Sequence, residues 1–193
     1  MLNTNPQETR QKAVEEAARI VSLNPIYLDT ETTGLENWDE IIEVGLVDSS
    51  GQVLLETLIK PQGSIPPDAT RIHGISDREV RTAPTWRQIW PQLERILEGR
   101  HLAIYNAEYD LRMMRQSHAR YSLSWTSPSL EAHCIMQLYA RYRGEWNPAR
   151  RSYRWHSLDS AGKQCGIQLP NTHRAVDDSL LARAVLLHMA ERA

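Results

Sequence analysis

The order of strand-like and helix-like segments is the strongest constraint on the fold of this chain. Three segments with strand character, residues 26–31, 40–48 and 52–60, follow one another, and the Ser-Ser-Gly sequence at 49–51 predicts a hairpin turn between the last two. A fourth strand is predicted at 101–105, between segments with helical periodicity. We therefore expect an α/β fold in which a mixed sheet, with an antiparallel hairpin and parallel strands, is flanked by α-helices.

Helical periodicity precedes the first strand and dominates the second half of the chain. The segments with this character are residues 7–22, 86–97, 107 to about 118, 135–143, 158–165 and 174–190. Asn106 is a good N-cap for the third helix, and Ser76 with Glu79 forms a capping-box sequence after a proline-rich loop. Pro91 should kink the second helix or break it in two.

Length and composition exclude several classes of protein. A chain of 193 residues can form one full-sized domain, so we assign residues 1–24 as an N-terminal helical preface and residues 25–193 as the globular domain. Apolar runs fall short of the roughly 20 residues of a membrane span, and residues 1–6 are too polar for a secretory signal. Two cysteines outside any C-x-x-C pair indicate a reducing compartment. We expect a soluble, cytoplasmic protein that does not contact membranes.

Two acidic residues lie at the end of the first predicted strand. Side chains alternate along a strand, so Asp29 and Glu31 should project from the same face. Partly desolvated carboxylates at this separation repel one another and must share a proton or bind a cation. The alternative is that the end of the strand simply meets solvent.

Further acids lie where helices are predicted to begin. Asp110 lies one turn into its helix among apolar neighbours, and Asp177 and Asp178 begin the last helix. Each of them could instead interact with the positive end of the helix dipole. His173 precedes Asp178 by five residues, an angular step of about 140° on an ideal helix, so the two can converge only if His173 lies in the preceding loop.

Taken in order, these segments resemble the three motifs of the DnaQ-like 3′–5′ exonucleases of the DEDDh subgroup. The motifs are DTETTGL at 29–35, NAEYD at 106–110 and HRAVDD at 173–178. DEIIEVG at 39–45 and HSLD at 156–159 extend the resemblance, as does IHGISD at 72–77. It covers residues 26 to the C-terminus, and the ordered combination is far more specific than any single motif.

The resemblance implies an RNase H-like fold and a two-metal site. Its metal-binding carboxylates would be Asp29, Glu31, Asp110 and Asp178, and His173 would complete the catalytic set as the general base. Hard oxygen ligands of this kind select Mg²⁺, with Mn²⁺ as a substitute, and two such ions can clamp the attacking and leaving oxygens at phosphorus. Helical geometry alone leaves Asp177 as an alternative to Asp178, and only the family spacing selects Asp178.

Substrate contacts are less sharply indicated. The resemblance places four residues near the terminal nucleotide: Thr32, Leu35, His73 and Asn106. The segment 141–155 contains five arginines and four aromatic residues. Cations that follow a phosphate backbone and rings that stack on bases are typical of a single-strand binder. The alternative is a solvated loop whose aromatic side chains anchor it to the core.

We therefore expect a metal-dependent 3′–5′ exonuclease that releases nucleoside 5′-monophosphates from a single-stranded or frayed 3′ end of DNA. An exoribonuclease is the alternative within the same class. From a different class, the chain could be a nucleic-acid-binding or polymerase-associated proofreading module, with a DNA polymerase or another replication or repair protein as partner. The chain ends directly after the last predicted helix, which favours a free-standing enzyme or a longer protein truncated at this point.

Overall fold

The computed structural model describes residues 5–125 and 130–191. The helices in this part of the chain are α1 (Pro6–Ser22), α2 (Pro67–His73), α3 (Asp77–Val80), α4 (Trp86–Leu97), α5 (Ala107–Arg120), α6 (Ile135–Arg143), α7 (Leu158–Gln164) and α8 (Ala175–Ala190). The strands are β1 (Ile26–Thr32), β2 (Ile41–Val47), β3 (Val53–Leu58), β4 (His101–Ile104), β5 (Glu131–Cys134), β6 (Trp146–Asn147) and β7 (Ser152–Tyr153).

Five strands form a mixed sheet in the order β3-β2-β1-β4-β5. β1 and β3 both pair antiparallel with β2, whereas β4 pairs parallel with β1 and β5 pairs parallel with β4. The predicted fold class, an α/β fold with an antiparallel hairpin and parallel strands, is therefore confirmed. β1 is the central strand, and its carboxyl end lies at the same edge of the sheet as the carboxyl end of β4.

Both faces of the sheet are covered by helices, because the central strands are apolar on both sides. On one face Tyr27 and Ala103 pack with α1, α6 and α8. On the other face Leu28 and Ile104 pack with α4 and α5. Asp29 and Glu31 have the same parity as Tyr27, which places them on the α8 face, whereas Thr30 faces α5.

The beginning of α8 lies directly against β2 at Gly45. A Cβ atom at this position would lie 2.4 Å from the backbone carbon of Ala175 and 2.4 Å from the nitrogen of Val176. Gly45 is also the cross-strand partner of Asp29. The missing side chain therefore lets the first turn of α8 approach the β1 segment that carries the acidic pair.

A methyl group at position 45 should separate α8 from the sheet. We expect Gly45→Ala to lower the free energy of unfolding by about 2–3 kcal/mol, since overpacking against a backbone is not relieved by a rotamer change. Chemical denaturation measures the loss. Gly63→Ala is the matched control, because the nearest atom to its Cβ is a Glu40 oxygen at 3.9 Å. Equal stability of the two variants would contradict the tight contact.

One of the two outcomes expected for Pro91 is wrong. α4 is not broken in two at Pro91 but continues from Trp86 to Leu97. The loss of one backbone hydrogen bond costs about 3 kcal/mol, but the helix buries Trp86, Trp90 and Leu93 in the core, which outweighs it.

Other differences concern short elements. α2 begins inside the segment that its prolines indicated as loop, because Pro67 occupies the first turn, where its missing N–H costs nothing. β5 and the β6–β7 hairpin are too short to have a recognisable period. The capping box of Ser76 and Glu79 is confirmed, at the start of α3. Asn106 is at the N-cap of α5 as predicted, but its side chain makes no capping hydrogen bond.

α1 belongs to the same hydrophobic core as the sheet. Its Ala13, Val14, Ala17 and Ile20 are buried together with residues of α6 and α8. Among the described residues, none of the helices combines the length and the apolar character that crossing a membrane requires.

Candidate active site

The predicted catalytic residues lie together in one cleft at the carboxyl end of β1. Its lining includes all five of them, Asp29, Glu31, Asp110, His173 and Asp178. The cleft, which we call the acidic cleft, has a volume of about 610 Å³ and is open to solvent. Of the four predicted carboxylates, two come from β1, one from α5 and one from α8, so the sheet edge gathers residues almost 150 positions apart in sequence. Asp159 of α7 also lines the cleft.

Asp110 is held on the side of the cleft formed by α5. The Thr30 hydroxyl donates a hydrogen bond of 2.8 Å to its Oδ1 atom, and the carboxyl group is buried. Asp110 therefore reaches the acidic pair from the opposite face of the sheet to Asp178. Thr30 was not predicted as a site residue, although its alternation with Asp29 and Glu31 places it on the α5 face.

Asp178, and not Asp177, enters the acidic cleft. Asp178 is buried and accepts a backbone hydrogen bond from Thr172, whereas Asp177 is exposed and bonds the Thr172 hydroxyl at 2.7 Å. His173 lies in the loop before α8, with a left-handed φ of 53°. Its ring, the Glu31 carboxylate and the Asp178 carboxylate each offer an atom within 4.8 Å of the others. The loop position is the one that convergence with Asp178 required.

Burial and mutual repulsion favour the protonated forms of these acids. Burial, Asp110, Glu31 and Asp178 together raise the pKa of Asp29 well above its usual range. Burial, with the charges of Asp178 and Glu43, raises the pKa of Glu31 to about 8. Burial raises the pKa of Asp110 to about 7, against the effect of the Thr30 hydrogen bond, and raises the pKa of Asp178 to about 6. Such a cluster is destabilising without protons or cations.

One buried acid beside the cleft has a partner of its own. Glu43 is the cross-strand neighbour of Glu31 on β2, and its carboxylate accepts hydrogen bonds from the Arg174 guanidinium at 2.5–3.1 Å and from the Ala175 backbone at 2.9 Å. Glu43 therefore satisfies one backbone donor of α8 in addition to the Arg174 guanidinium. Arg174 was not predicted, although two glutamates facing each other across strands indicate a nearby cation. The pair fixes the first turn of α8.

The four predicted substrate-binding residues lie around a second cleft, of about 670 Å³, next to the first. Leu35 is 73% exposed, whereas Thr32 and His73 are buried in its wall. Asn106 lines both clefts. Sequence reasoning missed two exposed apolar side chains here, Trp38 and Ile72. We call this feature the apolar cleft.

The apolar cleft is joined to the acidic cleft by a hydrogen-bonded tyrosine. The hydroxyl groups of Thr32 and Tyr109 are 2.6 Å apart, and the Tyr109 hydroxyl also donates to the Gly34 carbonyl at 3.2 Å. The loop after β1, which carries Leu35, is thereby fixed to the first turn of α5. A planar apolar group and an adjacent phosphate could occupy the two clefts at once.

The donor set of the acidic cleft suits hard divalent cations. Four carboxylates provide several oxygens in a small partly buried volume, and cations would relieve the repulsion that raises their pKa values. Oxygen ligands favour Mg²⁺ or Mn²⁺.

Comparisons with known proteins agree with this geometry. The sequence model of the exonuclease family RNase_T matches residues 26–186. The chain is 39% identical over 172 residues to the uncharacterized exonuclease CP81 of Escherichia phage 186, covering 86% of this chain and 88% of that protein. It is 33% identical to the DNA polymerase III subunit epsilon of Treponema pallidum, covering 78% of this chain and 69% of that protein.

Two solved structures have the same fold over most of the chain. Exonuclease X, in complex with 5′ overhanging duplex DNA, has a TM-score of 0.65 at 25% identity, with 87% of this chain and 92% of that chain covered. The nuclease domain of 3′hExo, a DEDDh family member bound to rAMP, has a TM-score of 0.70 at 15% identity, with the same coverage of 87% and 92%. The fold is therefore RNase H-like, and the chain belongs to the DnaQ-like exonuclease family.

Proposed function

We propose that this exonuclease is of the DEDDh type, acts in the 3′–5′ direction on single-stranded or frayed DNA, and uses two Mg²⁺ ions. The observation that carries the proposal is the convergence of four carboxylates and one loop histidine in the acidic cleft. Asp29, Glu31 and Asp178 would hold the tighter ion, and Asp29 and Asp110 would hold the second. Bound there, the two ions would neutralise the attacking and leaving oxygens of an in-line displacement.

The protein's own groups then have separate tasks. His173 accepts a proton from the water whose oxygen attacks the phosphorus, and its loop position keeps the ring at the solvent side of the cleft. The bond between phosphorus and the 3′ oxygen of the preceding nucleotide breaks, and that oxygen takes a proton from solvent. The product is a nucleoside 5′-monophosphate. The Glu43–Arg174 pair positions the loop that carries His173.

The terminal nucleotide would occupy the apolar cleft. Leu35, Trp38 and Ile72 are each at least 60% exposed there. The Trp38 ring can stack on a base of any sequence, and the two aliphatic side chains can pack against the face of the base. Asn106 lines both this base site and the acidic cleft, and Thr32 lines the base site. DNA is our preference over RNA because the more similar relatives include DNA polymerase III proteins.

Oligonucleotides labelled at the 3′ or the 5′ end test the proposal. With Mg²⁺ or Mn²⁺, single-stranded DNA labelled at the 3′ end should lose its label as mononucleotide at once, while 5′-labelled DNA shortens stepwise. A chelator should stop both reactions, and RNA should be degraded more slowly. The proposal fails if 3′ ends of both DNA and RNA stay intact, or if Asp29→Ala protein degrades them equally.

Loss of the general base should reduce turnover and not substrate binding. We expect His173→Gln to lower kcat about 10²-fold with little change in KM, because the water must then lose its proton without a positioned acceptor. Steady-state kinetics on a short single-stranded DNA measure both constants. His188→Gln, at the far end of α8, is the matched control. A kcat within threefold of the parent enzyme would remove His173 from the mechanism.

The segment 141–155 offers a path for the strand that leads to the cleft. Trp146, at the start of β6, is 55% exposed, and Trp155, two residues after β7, is 57% exposed. Arg150 and Arg154 line a surface pocket of about 430 Å³ together with Trp155. Ser157, two residues after Trp155, lines the acidic cleft. At most about 7 Å of extended chain therefore separates the pocket from the acidic cleft. Tyr142, by contrast, is buried and anchors the segment.

Removing two of these charges should weaken the binding of long substrates selectively. We expect Arg150→Ala/Arg154→Ala to raise KM about tenfold for a long single strand, to leave KM for a trinucleotide unchanged, and to reduce the salt dependence of binding. Arg100→Ala, an exposed arginine beside the amino end of β4, is the control. Equal KM values for the parent and the double variant on long strands would show that the hairpin does not bind the substrate.

A proofreading subunit is the second candidate, favoured by the 33% identity to the Treponema pallidum epsilon subunit. In that case the chain should co-elute with a replicative DNA polymerase in gel filtration and degrade mispaired 3′ ends faster in the complex. Separate elution, with full activity of the chain alone, would favour the free-standing enzyme.

A further inference from the structure

A second cluster of metal-ligating side chains lies at the opposite end of the parallel strands from the acidic cleft. It consists of His101, Glu131 and His133, each of which offers a ligand atom within 4.8 Å of the others. His101 begins β4, whereas Tyr105 and Asn106, just beyond the other end of this strand, line the acidic cleft. The length of the strand, about 10 Å, therefore separates the two sites.

The sheet register brings these three residues together. His101 of β4 is paired with Glu131 of β5 in parallel register, and Ala103 is paired with His133. Glu131 and His133 are two positions apart, so their side chains project from the same face, which is also the face of His101. The two imidazole rings stack, with 5.5 Å between centroids and 25° between planes. The cluster is thus built on regular strands and not on a mobile loop.

Two of the three separations between the ligand atoms match tetrahedral coordination, and the third lies within 4.8 Å. The Nδ1 atom of His101 lies 3.2 Å from a carboxylate oxygen of Glu131 and 3.4 Å from Nε2 of His133. Zinc–nitrogen and zinc–oxygen bonds of about 2.0–2.2 Å, at tetrahedral angles, place neighbouring ligand atoms roughly 3.3–3.5 Å apart. One ion could therefore contact all three atoms with small side-chain shifts.

Hydrogen bonding alone satisfies this arrangement poorly. Both short contacts involve the same Nδ1 atom of His101, which carries either one proton or one lone pair in the plane of the ring. This atom can make one good hydrogen bond, to Glu131 or to His133, and the other contact is then left without one. A cation between the three groups would instead accept a lone pair from each of them.

We propose that His101, Glu131 and His133 bind one divalent transition-metal ion of the zinc type, with water in the fourth position. Imidazole nitrogens select Zn²⁺ and its neighbours in the first row over Mg²⁺, so this site differs in metal preference from the all-oxygen acidic cleft. β5 is the edge strand, held in the sheet by β4 on one side. The ion would clamp the amino ends of these two strands and stabilise the sheet without taking part in hydrolysis.

The surroundings are compatible with a bound cation. Glu131 is exposed, and the two histidines are partly buried, so water and ions reach the cluster. The charges of α1 that act on His133 are Arg19 and Glu16, which have opposite signs. Glu16 is itself paired with Arg141 at 2.8 Å.

The test is zinc binding by the full chain with its acidic cleft disabled. In an Asp29→Asn/Asp178→Asn background and with Mg²⁺ in excess, calorimetric titration should show one Zn²⁺ bound per chain, and Co²⁺ should give the absorption spectrum of a tetrahedral site. Adding His133→Gln or His101→Gln should weaken Zn²⁺ binding roughly tenfold or more. Saturating Zn²⁺ should also raise the melting temperature of the background protein by roughly 5 °C or more, and not that of the histidine variants.

Two further variants keep the result interpretable. His188→Gln removes a histidine outside the cluster and should leave Zn²⁺ binding unchanged. Glu131→Gln changes an exposed side chain, so it tests the cluster even where a histidine variant folds poorly, and it should also weaken binding. The proposal is overturned if the background protein binds no Zn²⁺, or if its affinity is the same with all three cluster residues replaced in turn.

Discussion

The Asp29→Asn substitution should abolish hydrolysis and at the same time make the metal-free protein more stable. Asp29 lies among Asp110, Glu31 and Asp178, whose charges raise its pKa in addition to burial. Asp29→Asn keeps the volume of the side chain but removes the charge that would bridge two cations. We expect kcat to fall by at least about 10³-fold, since electrostatic stabilisation of the transition state is lost. Quenched-flow assays on labelled single-stranded DNA measure the loss.

The gain in stability distinguishes a functional acid from a structural one. At pH 8 in the presence of a chelator, Asp29→Asn should melt at a higher temperature than the parent protein, because one of the mutually repelling carboxylates is gone. Asp177→Asn is the matched control: it is exposed, adjacent to Asp178 and bonded to Thr172, and should change neither property by much. A variant at position 29 that loses activity and stability together would indicate that Asp29 is needed for the fold.

The residues of the acidic cleft were largely predictable because strand and helix geometry act locally. Alternation along β1 places Asp29 and Glu31 on one face, and a strand followed by a helix start places Asp110 at the same edge of a parallel sheet. His173 was predictable only conditionally, since the left-handed backbone that keeps it out of α8 is not encoded in any periodic pattern. Asp177 and Asp178 differ by about 100° around the axis of α8. Which of the two side chains faces the acidic cleft therefore depends on where α8 begins.

The features that the sequence did not predict depend on contacts between distant segments. The Glu43–Arg174 pair joins residues 131 positions apart and requires the β1–β2 register and the close approach of α8 at Gly45. The apolar cleft includes Ile72 because α2 forms where prolines suggested a loop. In segment 141–155, Tyr142 is buried on α6, whereas Trp146 is exposed on the short strand β6, which the sequence did not predict.

The acids of the metal-free acidic cleft should contribute less stability to the fold as the pH rises from about 4 to about 8. The pKa is raised by burial to about 8 for Glu31, to about 7 for Asp110 and to about 6 for Asp178, whereas unfolded acids titrate near pH 4. Between these values the folded state binds more protons than the unfolded state. The stability of the protonated cluster is therefore complete below pH 4 and is lost as the pH passes through the folded pKa values. Several kcal/mol, or roughly 10 °C in melting temperature, should disappear over this window.

Divalent cations should reverse this loss, and the reversal should grow with pH. Mg²⁺ or Mn²⁺ binds the ionised carboxylates and competes with protons. The increase in melting temperature that the cation causes should therefore be small at pH 5.5 and large at pH 8. Melting curves with chelator or with saturating Mn²⁺ across this range measure it. Asp29→Asn/Glu31→Gln protein should show a flatter dependence on pH and a weaker response to Mn²⁺, while Asp177→Asn behaves like the parent protein. Burial lowers the pKa of His73, His118, His133 and His156, and these groups add stability as the pH rises, so the cleft is read from the difference between the parent and the double variant. A melting temperature that depends on pH in the same way in both chelated proteins would contradict the assignment.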